Sequence, residues 1–313
     1  AGQTFAVEGF YDGNGHRGQE RRIWKVRLCP YLQGEWSWRT IPGDAPDKSL
    51  AGLSGRFRCV ESGDQGGIVS HGRYFKFQDG GYYFPVGNFL DPVARLPMWS
   101  YLGEETTEAQ RDAIIARHRD VYAANKYYFY VSNHSDVGSD LGGASEFVTP
   151  WVGTRTASDK TKMDIERWSN YDAQLGRLKD NRMIAQAVIF EDGKRGNYGS
   201  LPEADKNRLF RYLMARTSAF SHMMYVICME WPEAWKKDQV SAAGNFLQAH
   251  NPWRRPLSVH LLTAHPWVFS GENWPTYVAS QAGNKAGPDT VNQYALSMRC
   301  EPIPNLADEF GIL

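Results

Sequence analysis

Acidic side chains that follow predicted strands are the strongest chemical feature of this 313-residue sequence. Glu230 ends the apolar segment MMYVICMEW, and Glu309 lies in the later segment PNLADEFGIL. Two opposed carboxyl groups suit glycoside hydrolysis, because one can protonate the leaving oxygen while the other attacks or activates water. The sequence therefore predicts a carboxylate-rich site at the strand ends, and these two glutamates are among its candidates.

Further polar and aromatic residues follow the same predicted strand ends, where a parallel barrel collects its reactive side chains. Amide, imidazole and carboxyl groups can bond sugar hydroxyls, and indole rings can stack on sugar C–H faces. A core or loop position is the favoured interpretation for His260 and an equal alternative for His265. Glu233 replaces Glu230 as acid/base if the strand ends one turn later. The candidate substrate-binding residues are Asn88, Asp91, Asn133, His134, Glu191, Trp231, Glu233, His260, His265, Trp267, Trp274 and Gln281.

The charge balance gives no reason to expect a nucleic-acid or membrane partner. Lys and Arg total 35 and Asp and Glu total 35, so the formal net charge is +0. No apolar run reaches the roughly 18 residues of a membrane span. Aromatic residues make up 13% of the chain, a surplus that suits a sugar-binding cleft as well as a core. We expect a carbohydrate substrate and neither a metal nor an organic cofactor.

The four cysteines show neither a CxxC pair nor the spacing of a zinc site. Cys29 and Cys59 fall on predicted strands and could form a disulfide. No signal peptide is visible, but Ala1 can follow a processing site. We expect a secreted or periplasmic protein rather than a cytoplasmic one.

Residues 1–65 are predicted to be all-β and to form a small sandwich module. The segments TFAVEGFYDG and RRIWKVRLCP alternate apolar and polar residues, and GEWSWRT and SGRFRCV follow between Pro, Gly and Asp clusters. Residues 13–18 fit the pattern GxGxxG, but a strand follows them rather than the helix that a dinucleotide site needs. A hairpin turn is therefore the favoured interpretation.

Residues 66–313 alternate short apolar runs with amphipathic helices, which predicts βα units and a parallel sheet. Seven strand candidates predict a (β/α)8 barrel without its eighth unit, preceded by a module that lacks its first strand. A doubly wound sheet is the competing architecture, but VGNFLDP is not the Gly-rich turn expected after its first strand. We therefore expect a fragment of a longer polypeptide, or a partner that closes the gap.

Motifs in both regions resemble a known family. The GFYDG hairpin, the WKVR strand and the GEW turn resemble the Ig-like N-terminal module that precedes certain clan A glycoside hydrolase barrels. The segment GRYFKFQDGGYYFPVGNFLD resembles the entry into those barrels, and the resemblance covers nearly the whole chain. It implies an Ig-like β-sandwich over residues 1–65, a (β/α)8 TIM barrel over 66–313, and glycosidase activity on a poly- or oligosaccharide.

The same resemblance implies catalytic roles. In that clan the acid/base glutamate ends the fourth strand and the nucleophile ends the seventh, which implies Glu230 and Glu309 respectively in a retaining double displacement. The residue before the acid/base is commonly Asn, which helps hold the sugar 2-hydroxyl, whereas this chain has Met229. That departure keeps a non-catalytic glycan-binding barrel open as the alternative. A polysaccharide lyase is a third alternative, although lyases use Tyr and His or a metal rather than two opposed glutamates.

Overall fold

The computed structural model describes most of the chain. Within the described ranges the chain forms fifteen strands and five α-helices. Those ranges are residues 2–41, 43, 49–87, 107–132, 149–153, 157–190, 198–263, 265–283, 288–298 and 301–310.

The N-terminal region consists of short antiparallel strands. β1 (Phe10–Tyr11) pairs with β2 (Trp24–Lys25), and β3 (Gly34–Arg39) pairs with β4 (Ser54–Cys59). Among the described residues these pairs are two separate two-stranded sheets, so the β content matches the prediction while the Ig-like sandwich stays a prediction. Cys29 and Cys59 are free thiols, and the disulfide that the sequence allows between them is not formed.

The glycine-rich segment 13–18 is the turn between β1 and β2, as predicted. The Asp12 N–H donates to the Ile23 carbonyl at 2.8 Å, and the Ile23 N–H donates to the Gly13 carbonyl at 2.8 Å. Gly13 has a φ of 53°, and a Cβ there would lie 1.9 Å from the Gly18 carbonyl oxygen. The turn therefore requires glycine at position 13 for reasons of backbone geometry alone.

A three-stranded antiparallel sheet covers the N-terminal ends of the parallel strands. It consists of β5 (Ile68–His71), β6 (Tyr74–Phe77) and β7 (Tyr82–Tyr83). The Ile68 N–H donates to the Ser221 carbonyl at 3.1 Å, and the Tyr83 hydroxyl donates to the Asn125 carbonyl at 3.0 Å. Ser221 and Asn125 each lie just before a parallel strand, so this sheet closes the end opposite the strands' carboxyl ends.

From residue 107 onward, helices alternate with mostly parallel strands, which confirms the predicted α/β class. Polar caps start two of the helices: the Thr107 hydroxyl accepts the Gln110 N–H at 3.2 Å, and the Asp164 carboxylate accepts the Arg167 N–H at 3.1 Å. None of the helices that the structure describes is long and apolar enough to cross a bilayer. The elements are α1 (Glu108–Tyr122), β8 (Lys126–Ser132), β9 (Trp151–Gly153), β10 (Ser158–Met163), α2 (Ile165–Asp180), β11 (Ile184–Phe190), α3 (Glu203–Thr217), β12 (Met223–Cys228), α4 (Lys237–Ala249), β13 (Leu257–Ser258), β14 (Val278–Gly283), α5 (Pro288–Ser297) and β15 (Asn305–Phe310).

The parallel strands lie side by side in the order of the chain. β8, β11, β12 and β13 form one sheet in that order, and β14 pairs with β15. Single parallel bridges from Gly87 to Lys126 and from His260 to Ala279 join the two ends of the larger sheet to their neighbours. Within the described residues, seven chain segments thus follow one another in parallel, which is the number of strand candidates in the sequence.

The two faces of this sheet differ because side chains alternate along a strand. The outer face packs on the helices through residues such as Phe129 of β8 and Leu175 of α2. The inner-face core consists of Ile68, Phe75, Tyr83, Tyr128, Ile184, Val188, Met224, Val226, Met229, Tyr277, Ala279 and Leu306. On that face Lys126 of the second segment lies 2.6 Å from Asp308 of the seventh, so the sheet is curved and its inner face is concave.

A buried ion network, the Arg216 network, attaches the N-terminal region to the helices. It comprises Arg216 of α3, Asp172 of α2, Asp12 and Arg27. The Arg216 guanidinium is 1% exposed and lies 2.8 Å from both Asp12 and Asp172, and Arg27 lies 2.5 Å from Asp172. Burial alone would raise the pKa of the Asp12 carboxyl, but a hydrogen bond from Lys25 and the charge of Arg216 outweigh it and lower that pKa.

Candidate active site

Glu230 follows the fourth parallel segment and takes an unusual backbone conformation. Its φ of 38° and ψ of 50° lie in the left-handed region, which residues other than glycine seldom adopt. The Met229 N–H donates to the Phe190 carbonyl at 3.0 Å, and the Trp231 N–H donates to the His260 carbonyl at 3.2 Å. Both neighbouring segments therefore hold this turn, and backbone strain fixed in this way is found disproportionately at functional sites.

Met229 is part of the inner-face core. It occupies the position before the predicted acid/base, where clan A glycoside hydrolases commonly have Asn. Its side chain is buried, and the Tyr128 hydroxyl bonds to its sulfur. This position therefore supports the turn beneath Glu230 by packing, and its thioether has little capacity to bind a sugar hydroxyl.

The place of Glu309 in the sheet is set by a β-bulge. Ser280 of β14 pairs with Ala307 of β15, and the next residue, Gln281, pairs with Glu309. Asp308 is therefore an extra residue in β15. Position 309 thus takes the register of Gln281, a buried residue that the sequence predicts to bind substrate.

Three polar side chains, which we call the Lys126 cluster, lie on the inner face below these strand ends. Lys126 lies 2.6 Å from one oxygen of Asp308, and the Gln186 amide donates to the other oxygen at 2.8 Å. Lys126 also donates to the Gln186 carbonyl oxygen. The sequence analysis missed Lys126 and Gln186, although a glutamine inside the apolar strand RMIAQAVIF was a usable signal.

His260 is a buried residue near this cluster, which favours the core alternative for it. Its ring is fully enclosed, and neither ring nitrogen has a hydrogen-bond partner among the described residues. Burial lowers the pKa of the imidazole to about 4, against the opposing effect of the Asp308 carboxylate. The ring is therefore neutral near pH 7.

Aromatic side chains gather in the loops after the fourth and fifth segments. The Trp231 ring contacts those of His265 and Phe269 edge to face, each with centroids 5.3 Å apart. Trp267 contacts Phe269 with the same separation and is only partly buried. Glu233 ends the short 3-10 helix that begins at Trp231, and its N–H donates to the Glu230 carbonyl at 3.0 Å. Two adjoining loops thus contain four predicted site residues, and one of these loops begins at the Glu230 turn. The four residues are Trp231, Glu233, His265 and Trp267.

Trp274 does not fit the predicted role in substrate binding. Its ring is 0% exposed, and its N–H donates to Glu272 at 2.5 Å. It packs so closely on α4 that a Cβ at Gly244 would lie 2.2 Å from the ring. Neither face of the ring can meet a sugar, and we assign Trp274 to the core; a tryptophan count cannot separate these two uses.

The remaining predicted binding residues lie outside the described part of the chain. Within the described ranges, no group of three or more His, Cys, Asp or Glu side chains could hold a metal ion. The predicted residues that lie outside those ranges are Asn88, Asp91, Asn133, His134 and Glu191.

Comparisons with known proteins add evidence on the fold. Residues 1–42 match a domain of unknown function, DUF5060, and no curated protein matches the chain. A protein from Bacteroides vulgatus ATCC 8482, assigned as a glycoside hydrolase, superposes with a TM-score of 0.74 at 19% identity, over 97% of this chain and 58% of its own. The chain shares its fold with glycoside hydrolases.

Two further structures support this relation. A family 5 glycoside hydrolase from the same Bacteroides strain has a TM-score of 0.55 at 13% identity, over 79% of this chain and 54% of its own. The endo-1,4-β-mannanase of Rhizomucor miehei has a TM-score of 0.54 at 7% identity, over 79% of this chain and 82% of its own. The chain spans a little more than half the length of the two Bacteroides proteins.

Proposed function

We propose that this chain carries the catalytic part of a retaining glycoside hydrolase that cleaves a poly- or oligosaccharide. In this proposal Glu309 is the nucleophile and Glu230 is the acid/base. The seven parallel segments belong to a (β/α)8 barrel, and residues 1–65 belong to an Ig-like module.

The positions of the two glutamates are the observation that carries the proposal. Glu230 occupies a left-handed turn just beyond the fourth segment, and Glu309 occupies a bulged position on the seventh. The contact between Lys126 and Asp308 joins the second and seventh segments across the inner face, so distant segments share one concave face. Carboxyl ends of parallel strands meet at one rim of such a sheet, which supports a shared site for both residues.

The proposed reaction has two balanced steps. First, the Glu309 carboxylate attacks the anomeric carbon while the glycosidic C–O bond breaks and Glu230 gives its proton to the leaving oxygen. Then Glu230 takes a proton from water, and the water oxygen displaces Glu309 from the sugar with the original anomeric configuration restored. Retention requires the two carboxyl groups about 5–5.5 Å apart, whereas about 6.5–9.5 Å would indicate inversion.

Substrates with different leaving groups test the role of Glu230. An acid catalyst matters most when the leaving oxygen is basic, and little when the leaving group is a stable phenolate such as 2,4-dinitrophenolate. We expect Glu230→Gln to lower kcat/KM for an unactivated glycan by about 10²- to 10⁴-fold. Aryl glycosides with good leaving groups should keep a near-parental rate for the first step.

Glu233→Gln is the matched control, because Glu233 lies in the same loop. If Glu233→Gln shows the leaving-group dependence and Glu230→Gln does not, the acid/base role belongs to Glu233. If the full-length protein binds glycans from a β-glucan and β-mannan panel but cleaves none of them, the non-catalytic alternative is correct.

A further inference from the structure

The Lys126 cluster holds a carboxylate where it has no access to solvent. The side chains of Lys126 and Asp308 are 7% and 2% exposed. Each oxygen of Asp308 has its own donor, at 2.6 Å from Lys126 and at 2.8 Å from Gln186. A buried carboxylate requires such compensation, so Asp308 is tied to this one orientation.

The cluster is connected to several strands of the sheet. The Gln186 amide also donates to the Tyr277 hydroxyl at 3.3 Å, and that hydroxyl donates to the Tyr225 carbonyl at 3.1 Å. Lys126 begins β8, Gln186 lies on β11 and Tyr225 lies on β12. Tyr277 directly precedes β14 and Asp308 lies on β15, so the network connects five segments of the sheet. A displacement of Asp308 would therefore break bonds to strands that cannot easily follow it.

The bulge at Asp308 changes the register of the next residue. Leu306 and Ala279 pair with each other and both belong to the inner-face core. With strict alternation, Asp308 would again be on the inner face and position 309 on the outer face. The bulge at Asp308 shifts this phase by one residue, and position 309 instead pairs with Gln281, two residues after Ala279.

We propose that Lys126 is a positioning residue: by holding Asp308 together with Gln186, it fixes the bulged backbone that carries Glu309. This inference rests on the proposed function, in which Glu309 is the nucleophile. Asp308 is on the inner face with or without the bulge, so the ion pair acts on the backbone beside Glu309 and does not itself select the register. Without its two donors the backbone at Asp308 would no longer be fixed, and the position of the next residue would vary.

A structural role and a positioning role predict different behaviour for a double variant. Lys126→Met alone leaves a buried unpaired carboxylate, so it destabilises the protein under either account. Lys126→Met with Asp308→Asn removes both charges together and restores part of the lost stability. If the pair serves only stability, kcat per folded molecule returns to the parental value in the double variant.

We expect kcat of the double variant to stay about 10- to 100-fold below the parent, with KM for the same glycoside within about twofold. The measurement is steady-state kinetics in the full-length protein, normalised by the burst that counts competent sites. The matched control is Arg216→Met with Asp12→Asn, which removes a buried ion pair far from the bulge and should leave kcat unchanged. A double variant whose kcat is within twofold of the parent overturns the positioning role.

Two further variants keep the outcomes distinct. If Glu309→Gln is inactive while the double variant is fully active, only the positioning inference fails. If Glu309→Gln turns over like the parent, the proposed nucleophile fails and the inference fails with it. Should the double variant not fold, Gln186→Met removes one bond to Asp308 without leaving a charge unpaired. This variant should lower kcat about 3- to 10-fold, because Asp308 would keep one of its two donors and the backbone beside Glu309 would be only partly displaced. An unchanged kcat would again overturn the positioning role.

Discussion

Two buried ion clusters of this molecule have similar chemistry and different neighbours. In the Arg216 network, a guanidinium at 1% exposure joins the N-terminal region to α2 and α3. In the Lys126 cluster, an ammonium and a carboxylate of similar burial lie on the concave face of the sheet. Each group in both clusters has a close partner of opposite charge or a hydrogen bond, as burial requires.

What each cluster borders is therefore a better guide to its role than its own geometry. The Arg216 network borders two helices and a β-hairpin, and its bonds tie separate regions of the chain together. The Lys126 cluster borders a β-bulge and the strand that carries Glu309. We infer that the first network provides stability and that the second provides geometry for a reaction.

The largest expected effect comes from the concave face and concerns rate alone. Glu309→Gln keeps the shape and most of the hydrogen-bonding capacity of the side chain but removes its charge and its nucleophilicity. We expect kcat to fall by roughly 10⁴-fold or more, while glycan affinity changes by less than about tenfold, or 1.4 kcal/mol. Kinetics and calorimetric titration on the same glycan measure both quantities. Equal losses in rate and affinity would show that Glu309 only binds substrate.

The next effect comes from the Arg216 network and concerns stability. Arg216→Met leaves Asp12 and Asp172 buried with fewer partners, which should cost about 3–5 kcal/mol of unfolding free energy. Arg208→Met on the same helix is the matched control, since Arg208 is 40% exposed and its pair with Asp205 is worth about 0–1 kcal/mol. Urea denaturation measures both variants. A fall in kcat per folded molecule for Arg216→Met would erase the contrast between the two clusters.

Two tryptophans allow the same contrast to be drawn for aromatic side chains. Trp274→Ala should cost about 3–5 kcal/mol of stability because the ring fills the core. Trp267→Ala should cost less stability, because that ring is only partly buried, and should weaken glycan binding roughly 10-fold if the ring is a stacking platform. Thermal melting and glycan titration distinguish the two results. Weakened binding with unchanged stability for Trp274→Ala would contradict its assignment to the core.

The smallest expected effect is a dependence of stability on pH. The pKa of Asp12 is lowered from its ordinary value of 3.8, so its ionised form stabilises the folded state above that pH. This contribution is lost as the pH falls below 3.8 and through the folded-state pKa. The difference in melting temperature between the parent and Asp12→Asn should therefore shrink as the pH falls from about 5 to about 3. A difference that stays constant over this range would show that Asp12 does not titrate within the network.

The arrangement of the parallel strands could be predicted from the sequence because its signal is local. Apolar runs such as MMYVIC alternate with amphipathic helices, and that alternation alone predicts a parallel sheet. Helix α4 was missed because its segment KDQVSAAGNFLQA contains Gly, Ser and Asn and few large apolar residues. The positions of Glu230 and Glu309 on the fourth and seventh segments follow from counting strands.

The bulge and the Lys126 cluster could not be predicted in this way. Register is a relation between two strands, and nothing in NLADEFGIL marks Asp308 as the extra residue. The partner of Asp308 is 182 positions earlier in the chain, at the start of a strand where a lysine suggests a solvated end. Burial also separates Trp274 from Trp267, and the two residues have no local difference that would predict it.

Covalent trapping of the glycosyl-enzyme tests the central claim most directly. A 2-deoxy-2-fluoro glycoside with a good leaving group slows the second step more than the first, because the fluorine destabilises the charged transition state while the leaving group drives attack. Intact mass and peptide mapping then locate the sugar. We predict one sugar per chain, esterified to Glu309 and absent from Glu309→Gln. A sugar attached to another carboxylate, or turnover with inversion and no adduct, would contradict the account.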